Sequence, residues 1–101
     1  MIFAVVGAAI LYGQTQTSAD AGETIYRMRC GGCHGLDGRA QTAMGKRQRM
    51  RDLTSPEVQK QTDADLRRII ANGKAHMPAY EMILGNDGIN AVVAYIREIG
   101  R

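Results

Sequence analysis

Cys30-Gly31-Gly32-Cys33-His34 places two thiols three residues apart, with an imidazole directly after the second. On one helical turn, positions i and i+3 share a face. Both sulfurs can then reach the two vinyl groups along one edge of a haem and form thioethers. His34, within the same turn, can swing its imidazole beneath the porphyrin and ligate the iron. A Cys-x-x-Cys pair also serves as a redox dithiol, as half of a zinc site or as a structural disulfide. Zinc needs four ligands, and beyond these three the only other histidine or cysteine is His76. A thioredoxin-like dithiol sits in a βαβ context, and no strand-like alternation surrounds this motif. Covalent attachment of one haem c through Cys30 and Cys33 is the chemistry the motif favours.

A six-coordinate iron needs a second ligand opposite His34, and the six methionines supply thioether candidates. Met28 lies six residues before His34 on the same expected helix and does not easily reach the far face. Met44, Met50 and Met82 lack a local frame to fix them, and Met1 is in the apolar leader. Met77 follows Gly73-Lys74-Ala75-His76 and precedes Pro78, which restricts Met77 to an extended backbone and stiffens the loop. Stiffness suits a weak Fe–S bond. The plainer role for Met77 is core filler, because methionine packs irregular gaps well. His76 is the rival ligand, and as the neighbour of Met77 in an extended segment it is expected to face solvent.

The elements that must position these groups all read as helical. Gly22 to Cys33 forms a first helix with Ile25, Tyr26 and Cys30 near one face. Gly35 to Arg51 has glycines and no sustained period, so it reads as a loop. Thr54-Ser55-Pro56-Glu57 starts a short helix, with Thr54 as cap, Glu57 returning the bond and Pro56 in the first turn. Thr62-Asp63-Ala64-Asp65 starts the next in the same way. Leu66, Ile69 and Ile70 follow at helical spacing, and Asn72-Gly73 ends it. In the last helix Asn86 or Asp87 caps, Ile89, Val92, Val93, Ile96 and Ile99 form one stripe, and Gly100 ends it. The expected class is all-α, four to five short helices wrapped around one covalently bound haem.

The 101 residues hold one domain at most. Ile2 to Tyr12 is an almost unbroken apolar run, followed by polar residues and by Ala19-Asp20-Ala21, small residues where a signal peptidase looks for them. The run is too short for a hydrocarbon layer of about 30 Å. Residues 1–21 therefore read as a signal peptide, or as a short anchor if retained, and 22–101 as the domain. No cation precedes the apolar run. About 80 residues is small for a self-sufficient core, and a haem would supply a large apolar plate. Asp20 leaves with the leader, so the net charge of +3 becomes about +4. A single Phe, no Trp and a mild charge are not the footprint of a nucleic-acid binder. Lys46-Arg47-Gln48-Arg49-Met50-Arg51 is a solvated loop, a docking patch for an acidic redox partner, or the source of an arginine that pairs a haem propionate.

Taken together these residues resemble class I cytochrome c of the small bacterial type, from Gly22 to Arg101. Cys30 to Gly35 followed by Asp37-Gly38 is similar to the family's attachment motif. Asn72-Gly73 through Met77-Pro78-Ala79-Tyr80 resembles its axial-methionine loop. Gly22 with Tyr26, and Val92 with Tyr95, are similar to the glycine and aromatic residues through which the family pairs its first and last helices. Many members also place a proline soon after the motif, whose loop carbonyl accepts from the haem histidine. None occurs here between His34 and Pro56, so no acceptor can be named. The resemblance implies a monomeric, non-enzymatic electron carrier between redox proteins. It implies haem attachment outside the cytoplasmic membrane, hence a periplasmic or otherwise extracytoplasmic location, with a membrane tether only if the leader is kept. The alternatives are a haem-bearing subunit of a larger membrane oxidoreductase, and a catalytic or gas-binding haem protein with an open sixth site.

Overall fold

The computed structural model describes residues 18–101. Most of the expected leader, including the apolar run 2–12, lies outside the described residues. Among them regular structure is helical: α1 over residues 18–29, α2 Gly31–His34, α3 Ala43–Arg47, α4 Pro56–Gln59, α5 Asp63–Asn72 and α6 Glu81–Ile99. A lone antiparallel bridge joins Lys74 to Met77. The all-α expectation holds, with six helical segments rather than four or five.

The extra segments have local causes. The first helix does not run unbroken to Cys33: Cys30 is a turn, and α2 restarts at Gly31. Residues 18–21, on the leader side of the expected boundary, belong to α1, and Ala19 is buried. The stretch expected as pure loop contains α3. It lacks an apolar period but has a cap, since the Thr42 hydroxyl accepts from Gly45 N at 2.8 Å.

Two caps also differ from expectation. Ser55, not Thr54, caps α4, accepting from Val58 N at 3.3 Å, with Pro56 at the first helical position. Asp52 holds Thr54, and the Glu57 carboxylate goes to Arg51 instead of back to the cap. The α5 ends are as expected: Thr62 accepts from Asp65 N at 3.0 Å, and Gly73 ends the helix in the left-handed region at φ 78°. α6 contains a break at Gly85 (φ 66°), so Asn86 and Asp87 fall inside the helical run after it.

α5 packs on α6, and Leu66, Ile70, Ile89, Val92, Val93 and Ile96 share one buried cluster. α1 crosses α6 at Gly22, where any Cβ would be driven into the Ala91 carbonyl. One turn further on, the Tyr26 and Tyr95 rings meet at 5.2 Å, tilted by 53°. Gly22 thus faces Ala91, while Val92, read with Tyr95 as the last helix's half of the pairing, is buried in the core. Gly22→Ala should destabilise the protein by roughly 1–3 kcal/mol, the usual cost of overpacking, read as a lower urea midpoint at unchanged slope.

Candidate functional site

The attachment motif hangs from the end of α1. Cys30 N donates to Tyr26 O at 2.8 Å and His34 N to Cys30 O at 3.0 Å, so one turn carries Cys30, Cys33 and His34. Both cysteines are half-buried, and neither is in a disulfide. Burial, and then the neighbouring Cys33, push the Cys30 thiol up to about 11. A redox dithiol depends on a depressed thiol pKa. Here the environment works the other way. Among the described residues no three His, Cys, Asp or Glu side chains are grouped to hold a metal ion, which counts equally against a zinc site.

His34 is buried, 9 % exposed, and its Nδ1 lies 3.2 Å from the Arg51 carbonyl oxygen. A carbonyl only accepts, so Nδ1 carries the proton and Nε2 keeps the lone pair a metal needs. Burial lowers the imidazole's pKa, and the Arg51 hydrogen bond opposes that shift. Arg51 is thus the acceptor for which the sequence offered no proline. It was invisible there because any residue type can supply a main-chain carbonyl.

The segment after His34 is clipped in place. The buried Tyr26 hydroxyl donates to Gly35 O at 2.6 Å, and burial raises its pKa, keeping it a donor. The Thr42 hydroxyl donates to Cys33 O at 2.7 Å, tying α3 to α2.

Tyr26, Cys30 and His34 border a partly open cavity of about 180 Å³. Leu66, Ile69 and Ile70 of α5 and Val92 and Ile96 of α6 give it an aliphatic wall. Cys30, His34 and Met77 all border it; Cys33 does not, but shares their turn. Met77 is half-buried and packs against the core cluster. Its backbone is pinned in a tight hairpin, with Met77 N donating to Lys74 O at 2.9 Å and Lys74 N to Met77 O at 3.1 Å. Tyr80 N then donates to Ile70 O at 3.0 Å, and the Tyr80 hydroxyl reaches Arg29 O at 3.1 Å. His76 is exposed, as expected, although it also borders the cavity. Met28 and Met82 are 73 % and 96 % exposed, far from a ligand's burial. Met50, next to Arg51 in the chain, also borders the cavity, held by Met50 N donating to Gly45 O at 2.9 Å.

Residues 17–96 match the family model of cytochrome c oxidase, cbb3-type, subunit III. The chain belongs to that family. It is a class I c-type cytochrome domain, an electron-transfer haem protein of a family that implies covalently bound haem c. No curated protein matches it. Among the described residues of this cytochrome domain no helix is long and apolar enough to cross a membrane.

The Tyr26 hydroxyl supports the attachment turn without bordering it chemically. Tyr26→Phe should leave haem content unchanged while lowering stability by roughly 1 kcal/mol, because the buried Gly35 carbonyl loses one of its two donors and keeps Gly38 N at 3.0 Å. Denaturant unfolding of the haem-loaded protein checks this.

Proposed function

We propose that this domain carries one haem c on Cys30 and Cys33, with His34 and Met77 as iron ligands, and passes single electrons between extracytoplasmic redox proteins. One observation carries the proposal: Cys30, His34 and Met77 border a single aliphatic cavity, with the outer nitrogen of His34 already bonded to a carbonyl. The donor set fits the group, since two thiols on one turn suit addition across two vinyls. Haem supplies the Fe(II)/Fe(III) couple.

The residues set how that couple behaves. His34 and Met77 would hold the iron through an imidazole and a thioether, and the thioether would favour Fe(II) over what a second imidazole would give. The aliphatic wall of α5 and α6 disfavours the extra charge of Fe(III) in the same direction. Arg49 and Lys74 border the cavity without an ion-pair partner among the described residues and complement haem carboxylates. The partly exposed Cys33 turn marks the edge where electrons leave. Beside it α3 presents Lys46 and Arg47, a surface suited to an acidic redox partner. No bond chemistry on a substrate is assigned to this site. Cleavage of residues 1–21 would release the domain outside the cytoplasmic membrane; retention would hold it there.

A second reading has its own support. The family's name is that of an oxidase subunit, which favours a domain that relays electrons inside a larger membrane assembly. Stable co-purification with such an assembly separates it from a free monomeric carrier.

The test is an absorption spectrum, oxidised and reduced, with carbon monoxide added to the reduced form. The expected parent spectrum is low-spin, with a weak long-wavelength methionine–iron band and no carbon monoxide shift. Met77→Ala should keep the haem attached, lower the potential and bind carbon monoxide. A parent that binds carbon monoxide readily, or a variant that behaves like it, would remove Met77 from the iron and favour a catalytic or gas-binding protein.

A further inference from the structure

The acceptor for His34 is the carbonyl of the Arg51–Asp52 peptide, and no proline ring fixes that peptide. Between His34 and Pro56 every residue has free torsions. The oxygen is nonetheless held where the imidazole needs it, and the hydrogen bonds around Asp52 explain how. Its Oδ1 accepts from Thr54 N at 2.8 Å and from the Thr54 hydroxyl at 2.6 Å. Its main-chain oxygen accepts from Ser55 N at 3.2 Å and from the Ser55 hydroxyl at 2.7 Å. On either side, Met50 N donates to Gly45 O at 2.9 Å and Leu53 N to Gly38 O at 2.7 Å. The hydrogen bonds from Thr54, its hydroxyl first, hold the Asp52 carboxyl below the usual carboxylate range, as expected of an acceptor with two directed donors.

A peptide is planar, so the Arg51 oxygen is set once the chain is held on both sides of that plane, by Met50 N before it and by the Asp52 knot and Leu53 N after it. We propose that Asp52 is a positioning residue for the haem iron: its side-chain knot with Thr54 orients the Arg51 carbonyl, which sets the hydrogen bond of His34 and through it the reduction potential. The inference rests on the reading of His34 as an iron ligand. A histidine that donates its outer N–H is a more basic ligand and stabilises Fe(III). Loosening the knot should therefore raise the potential.

Charge alone could also raise it, and a pair of variants separates the two effects. Asp52→Asn removes the charge but keeps an Oδ1 acceptor for Thr54, whereas Asp52→Ala removes both. The experiment measures, on haem-loaded protein, the midpoint potential and the exchange rate of the His34 Nδ1–H by NMR. Asp52→Ala should shift the potential upward by more than Asp52→Asn, and its N–H should exchange faster by about tenfold, the change a lost hydrogen bond of ordinary strength allows. Asp52→Asn should exchange like the parent. Thr54→Val, which loses only the hydroxyl donor, should fall between, and it decides the matter if Asp52→Ala does not fold. Equal potential shifts in Asn and Ala with unchanged exchange, or a silent Thr54→Val, would overturn the role of Asp52 alone. A parent protein without covalent haem would instead overturn the functional reading beneath it.

Discussion

The close approach of α1 to α6 at Gly22 governs where the chemistry can sit. With no side chain at Gly22, the backbone of α1 lies against the Ala91 carbonyl, and the Tyr26–Tyr95 contact fixes its rotation. Cys30 and His34 follow within a turn or two, so their placement is inherited from this crossing. The same α6 is the floor on which α5 packs, and the Met77 hairpin leaves from the end of α5. Tyr80 closes the circuit, bonding α5 through Ile70 O and α1 through Arg29 O. Both walls of the cavity are therefore referenced to one helix, and a shift of that helix moves both expected ligands together.

The loops around the cavity carry strain that the helices do not. Ala40, Arg49 and Ala75 all have left-handed backbones, at φ 60°, 54° and 53°. For residues with a Cβ this costs about 1–2 kcal/mol each. Each is held by a specific bond nearby: Ala40 N donates to His34 O at 2.7 Å, Met50 N after Arg49 donates to Gly45 O, and Ala75 sits inside the Lys74–Met77 hairpin. Strain of this kind persists where the surroundings over-determine it and gathers at ligand clamps. All three residues adjoin the groups that hold His34 and Met77. An apolar group filling the cavity would add its burial to the same balance, which makes cofactor binding and folding one linked equilibrium.

The sequence carried what depends on residue type. Cys30, Cys33 and His34 announce themselves by spacing, Thr62 and Gly73 by their capping chemistry, and the Ile89–Ile96 stripe by period. It lost what depends on the main chain. The Arg51 carbonyl has no signature, α3 has a cap and a crowded glycine but no apolar face, and Gly85 breaks α6 one residue before the polar pair that resembled a cap. Thr54 looked like a cap because its hydroxyl suits one. Asp52, two residues earlier, competes for that hydroxyl, and Ser55 takes over. Local side-chain competition of this sort is decided by geometry over three or four residues, below the resolution of a residue pattern.

The basic run Lys46–Arg51 shows the same division in electrostatic form. Read along the chain it is one patch of four cations, yet folding splits it by where carbonyls and carboxylates converge. Arg51 pairs with Glu57 at 3.0 Å, and its backbone serves His34. Arg97, isolated in sequence, is more deeply built in: it bonds Asp63 and the main-chain oxygens of Gln59 and Gln61, stitching the α4–α5 connection onto α6. Lys46, Arg47 and Arg49 have no such acceptors among the described residues; Arg49 turns to the cavity, while Lys46 and Arg47 keep their charge for what approaches from outside. A guanidinium becomes structural when several fixed oxygens point at one place, because its planar fork satisfies them together. Where no oxygens converge, the same residue type stays a surface charge, screened over about 8–10 Å at physiological salt, and acts on partners more than on the fold.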